Sequence, residues 1–172
     1  MTEIVNRVSN SPIVTIDLEH YYVKGERSVF DLESFLFKGM VLKELDFRKG
    51  LKELDWSDYQ DKYVAVMCSA DVIIPKWAYM LAVVYLNKVA REVVVGDRAT
   101  LEQHLLFLSL QKLDLNSLKD KPVVIKGCSK FAIPDFAYGE IVRLLMPLAK
   151  SIMFGEPCST VPVYKKPRDV AD

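Results

Sequence analysis

Residues 61–97 and 120–156 read as two copies of one segment, and an internal repeat of this length narrows the available folds more than any composition figure. Asp61 and Lys62 fall on Asp120 and Lys121 at an offset of 59. One extra residue then sets Cys68 and Ser69 on Cys128 and Ser129. The offset returns to 59, where Ile74 and Pro75 meet Ile133 and Pro134, and Ala78 and Tyr79 meet Ala137 and Tyr138. Trp77 meets Phe136, Ala90 meets Ala149, and Gly96 with Asp97 meets Gly155 with Glu156. Leu54 and Asp55, ahead of the first copy, match Leu113 and Asp114.

Each copy has the grammar of a βαβ unit. The runs 63–67 and 122–126 are short, apolar and rich in Val and Ile, as strands buried on both faces require. Pro75 and Pro134 stand where a first helical residue is expected, and the patterns 75–90 and 134–149 follow as helices. Pro147 is expected to end or kink the second helix. Residues 93–95 and 152–154 read as second strands, each stopped by a glycine. Between the copies, Thr100 and Gln103 have capping-box spacing, and Leu101, Leu105 and Leu108 extend a helix to about residue 113.

The first 55 residues differ in kind. Residues 13–18 alternate as a strand, the HYYVKGER loop follows, and Asp31 is placed to cap a short helix carrying Leu32, Phe35 and Leu36. Gly39 stops that element, and Phe47, Leu51 and Leu54 continue at helical spacing. The expected architecture is α/β: a mostly parallel sheet from two repeated βαβ units, with an N-terminal strand-plus-helix cap over residues 1–55. The chain reads as a single domain over 1–172, since no linker rich in Pro, Gly or Ser interrupts it.

Composition excludes several function classes. Half the residues are apolar, enough for a core without disulfides. Lys plus Arg equals Asp plus Glu at 23 each, which argues against nucleic-acid binding and a polybasic membrane anchor. No apolar run reaches the ~18 residues of a membrane helix, and the N-terminal residues lack a signal pattern, so a cytoplasmic location is expected. All seven glycines are isolated, which excludes the familiar phosphate cradles, and no G-x-S-x-G elbow occurs.

The candidate chemistry lies at the strand ends. Cys68 and Cys128 follow first strands, Asp97 and Glu156 follow second strands, and Cys158 sits in the GEPCST loop. In a parallel sheet these ends share one rim, where α/β folds usually bind ligands. Each cysteine is followed by serine. Three thiolates suit zinc or an iron–sulfur species, and a single activated thiol suits nucleophilic or redox chemistry. Small buried cysteines that only fill strand ends are the plain alternative. No C-x-x-C pair is present.

Asp97 and Glu156 are candidate rim carboxylates for acid–base work, or else helix caps and loop anchors. His20, Tyr21, Tyr22, Lys24 and Arg27 form a candidate loop for an anion or a partner, against the plainer reading of a solvated loop with half-buried tyrosines. His104 shares the apolar side of its helix and reads as a boundary histidine. The repeated I-P-x-aromatic-A-Y blocks read as structural.

The strings EIVNRVSNSPIVTIDLEHYY, KGERSVFDL, YQDKYVAVMCSADVIIPKWAYML, VVIKGCS and AKSIMFGEPCSTVPVYK together resemble domain-of-unknown-function family 2480, known from Bacteroidetes. The resemblance covers nearly the whole chain, and GEPCSTVP is its most distinctive block. It implies a small bacterial cytosolic protein and a link to iron–sulfur assembly proteins, and it assigns no catalytic residue. The expectation is therefore a thiolate-centred site of Cys68, Cys128 and Cys158 for zinc or an iron–sulfur species, flanked by Asp97 and Glu156. The alternatives are a non-catalytic interaction module using the HYYVKGER loop and the sheet rim, or a small-molecule enzyme with a rim carboxylate as base. A homo-oligomer is a further expectation.

Overall fold

The computed structural model describes residues 13–127, 130–156 and 158–167. In chain order these contain β1 (Val14–Asp17), β2 (Arg27–Asp31), β3 (Leu36–Phe37), β4 (Val41–Leu42), α1 (Glu44–Glu53), β5 (Tyr63–Met67), α2 (Lys76–Leu86), β6 (Glu92–Val95), α3 (Arg98–Leu110), β7 (Pro122–Lys126), α4 (Asp135–Leu145), β8 (Ser151–Glu156) and β9 (Ser159–Lys165). The protein is mixed α/β. The chain divides into two compact units: a contiguous one, Lys24–Leu105, and a split one, Met1–Val23 with Leu106–Asp172.

In the contiguous unit the sheet runs β2-β5-β6, all parallel. Val64, Ala65 and Val66 of β5 are fully buried, which is why this central strand is a continuous apolar run with no polar alternate. Helix α2 packs Ala78, Ala82 and Leu86, one i, i+4 stripe, into the core while Met80 and Val84 stay exposed. An aromatic group fills the rest: Phe30 stacks on Trp56 at 5.6 Å, and Phe47 meets Phe35 edge-on at 5.1 Å. The Arg27 guanidinium donates to both oxygens of Glu102, at 2.8 and 3.0 Å, tying β2 to α3.

In the split unit the sheet runs β1-β7-β8-β9, with β9 antiparallel at the edge. Val123, Val124 and Ile125 repeat the burial of β5 in β7, and α4 buries Ala137, Ile141 and Leu145. Among the described residues Glu140 is the one charged residue that is buried, paired with Arg143 at 2.6 Å and reached by Gln111 at 3.4 Å.

The two units have matching internal bonds. The amide of Asp61 donates to Val89 and that of Asp120 to Leu148, both at 2.9 Å; Arg91 donates to Lys62 and Lys150 to Lys121, again both at 2.9 Å. Strands β5 and β7 end 59 positions apart, so Gly127, rather than Cys128, stands at the position of Cys68. The N-terminal strands match as well. β1 and β2 each end on the aspartate of an Asp-Leu-Glu sequence, and Asp17 and Asp31 each accept the amide of that glutamate, Glu19 at 3.0 Å and Glu33 at 2.9 Å. Each carboxylate opens a one-turn 3-10 helix.

Several expectations change in detail. The first 55 residues do not stand apart as a cap: β1 pairs with β7, and β2 with β5. Pro75 and Pro134 are N-cap residues with extended ψ of 135° and 146°, so each helix starts one residue later. The helices also stop earlier, at Leu86 and Leu145, with Pro147 just beyond the second. Asp97, not Thr100, caps α3, because its carbonyl accepts the amide of Leu101 at 3.1 Å. Strands β2, β3, β4 and β9 add to the expected set, and β2 begins at Arg27, inside the expected loop.

Candidate functional site

Each unit has a cleft where the carboxyl ends of its parallel strands meet the first turns of the helix that joins them. In the contiguous unit the cavity measures about 380 Å³. Met67 and Cys68 at the end of β5, Val95, Gly96 and Asp97 at the end of β6, and Lys76 and Tyr79 of α2 enclose it. Gly96 is required by the sharp exit from β6: its φ is +150°, and a Cβ there would meet Thr100 at 2.7 Å.

The strand ends hold a polar network. Asp31 accepts the amide of Ser69 at 3.0 Å, and the Ser69 hydroxyl bonds the Glu33 carboxylate. Burial works to raise the Asp31 carboxyl, but the hydrogen bonds from Ser69 and from the Glu33 amide outweigh it and hold the group below its ordinary value. Tyr79 moves upward, first through burial and then through the nearby Cys68 and Asp31. The Cys68 sulfur is half-buried, 3.7 Å from the carbonyl of Ala70.

The split unit has a larger and more apolar cavity, about 660 Å³. Ile125 of β7, Phe154 of β8 and Val163 of β9 form the sheet side, and Ile133, Asp135, Tyr138 and Val142 form the helix side. Val163 brings the added strand β9 into this lining. Tyr138 donates to the carbonyl of Gly127 at 2.6 Å and meets Phe154 edge-on at 5.8 Å. Beside it, Lys126 lies 3.6 Å from both Asp17 and Glu156.

The expected site residues are distributed as follows. Cys68 lines the cleft of the contiguous unit, and Cys158, exposed in the turn between β8 and β9, belongs to the split unit. Cys128 lies outside the described residues. Among the described residues no three His, Cys, Asp or Glu side chains gather as metal ligands would. Asp97 accepts both the amide and the hydroxyl of Thr100, at 2.8 and 2.7 Å, and these bonds lower its carboxyl. It serves as a helix cap, and Glu156 faces Lys126. Of the loop residues, Tyr22 stacks on Phe131 at 4.4 Å, Tyr21 is raised by burial, Arg27 holds Glu102, and His20 and Lys24 are exposed. His104 lies 3.1 Å from Glu92.

Sequence reasoning missed Lys76, Tyr79, Asp135, Tyr138, Phe154 and Val163. The signal was available: the tyrosine that closes each I-P-x-aromatic-A-Y block lines a cleft in both units.

A family model described as a protein of unknown function (DUF2480) matches residues 2–166. No curated protein and no solved structure matches the chain.

Proposed function

The chain belongs to the DUF2480 family, described as of unknown function, and from its geometry we propose a non-catalytic binding protein whose ligands occupy the carboxyl rims of its parallel strands. One observation carries this reading: both units have a cleft at the same place, lined by residues 59 positions apart, namely Lys76 and Asp135, Tyr79 and Tyr138, and Val95 and Phe154. Open α/β sheets take ligands at this rim, and the two volumes suit small molecules.

We infer that the clefts arose together through duplication of a βαβ unit. The paired backbone bonds and the shared Asp-Leu-Glu turns after β1 and β2 support this, and they extend the repeated unit to include a first strand. Copies that diverged in lining, one polar and one apolar, fit two binding specificities better than one catalytic centre. Acid–base catalysis by a rim carboxylate is disfavoured because Asp97 is engaged by Thr100 and Glu156 by Lys126. A zinc or iron–sulfur centre needs three or four ligands in one place; the described residues gather none, and Cys128 lies outside them. A net charge of zero, and no helix among the described residues long and apolar enough to cross a membrane, favour a small ligand over nucleic acid or bilayer.

Amide-resolved NMR of the full chain with a fragment library tests the reading. Shifts should cluster at Tyr79 and Gly96 for polar fragments and at Tyr138 and Phe154 for apolar ones. Shifts confined to other surfaces overturn it, and so does stoichiometric metal in anaerobically purified protein.

A further inference from the structure

Resting on that reading, we propose that the cavity of the split unit binds an amphipathic small molecule: an apolar body with an amine at one end. The volume of about 660 Å³ is that of a pocket for a molecule of modest size. Its walls are hydrocarbon and aromatic, and they are poorly covered: Phe154 is 39% exposed and Val163 is 52% exposed. A bound apolar body takes this surface out of water.

The polar end follows from charge. Among the described residues, one charged side chain lines the cavity, the exposed carboxylate of Asp135 in the first turn of α4. Among the described residues it has no hydrogen bond or ion pair. The other polar group, the Tyr138 hydroxyl, already donates to Gly127 at 2.6 Å. A ligand carboxylate or phosphate would meet like charge here, and an ammonium meets a free acceptor.

The contiguous unit supplies the contrast within the same chain. Lys76 stands where Asp135 does, so the charge at that one position is reversed, with Asp97 also in the lining, and its cavity is smaller. Position 135 thus selects the sign of the ligand's polar end, and the body of the cavity selects its apolar bulk.

Titration of the full chain with octylamine, octanol and octanoate, read by NMR at Tyr138 and Phe154, decides the matter. Octylamine should bind about tenfold tighter than octanoate, with octanol between them. Asp135→Lys should invert that order, and Asp135→Asn should level it. Val163→Trp, at an exposed position that tolerates bulk, should fill the cavity and abolish all three. Equal affinities, or tighter octanoate, overturn the amine assignment and leave the binding reading standing. No shift at the cavity with any of the three overturns both.

Discussion

Asp61 and Asp120, 59 positions apart, hold the same left-handed backbone, with φ of 58° and 55°. Aspartate tolerates this conformation better than most residues, and a β-branched side chain tolerates it least. Asp61→Val should therefore cost about 1–2 kcal/mol, while Asp61→Gly should stay within about 0.5 kcal/mol, relief of strain offsetting added chain entropy. Urea denaturation of the three proteins checks the order; equal losses for both variants would rule out backbone strain.

Two glycines should answer differently to the same methyl group. A Cβ on Gly155, at φ +121°, would meet the Ser159 carbonyl at 2.6 Å, whereas one on Gly39, at φ +70°, meets nothing within 4 Å. Gly155→Ala should cost about 1–3 kcal/mol and perturb the β8–β9 hairpin, and Gly39→Ala only about 1 kcal/mol. Thermal melts give the ranking, and the reverse ranking contradicts the argument.

The aromatic core makes a sharper claim. Phe47 is fully buried and packs edge-on against Phe35, while Leu45, two residues earlier on the same helix, is 82% exposed. Phe47→Ala should lose about 3–5 kcal/mol and Leu45→Ala less than about 0.5 kcal/mol. Guanidinium unfolding followed by tryptophan fluorescence suits this test, since Trp56 and Trp77 pack against the same core.

Glu140 gives a pH dependence. The hydrogen bond from Arg143, aided by its charge and by Gln111, lowers the carboxyl against the opposing pull of burial. A carboxyl lowered in the folded state stabilises the protein above its unfolded value, about 4.3, and that contribution fades as pH falls through the folded value. Glu140→Gln should accordingly lower the urea midpoint at pH 7, with the difference closing as pH falls below the ordinary carboxylate range. A gap that stays constant with pH would show that the ionised pair contributes nothing.

The parts of the fold that were legible in the sequence were those written in local pattern: the buried runs of β5 and β7, the prolines ahead of α2 and α4, and the glycine after β6, whereas β8 runs on through Gly155 to Glu156. The partner of β1 and the strand β2 itself were not legible, because each strand buries one side chain, Ile16 or Phe30, and a single residue fixes neither a strand nor its register. Strand β9 escaped because Pro162 breaks its run and its exposed residues show no alternation. Of the candidate site residues, Cys68 and Asp97 follow the carboxyl ends of β5 and β6. The lining tyrosines were taken for packing, since a helix-start aromatic looks the same whether it faces a core or a cleft.

Strand β1 is made first and waits longest for its partner. Its partner, β7, is more than 100 residues downstream, with Val14 opposite Val123, and the whole contiguous unit lies between them. On the ribosome, at about 5–20 residues per second, β1 waits roughly 5–20 s for β7 to be synthesised. Lys24–Leu105 has all its strands and its core in hand before then. Translation thus sets an order of assembly in which one half completes while the first strand of the other still has an open edge, exposed to whatever chaperone or neighbouring chain meets it first.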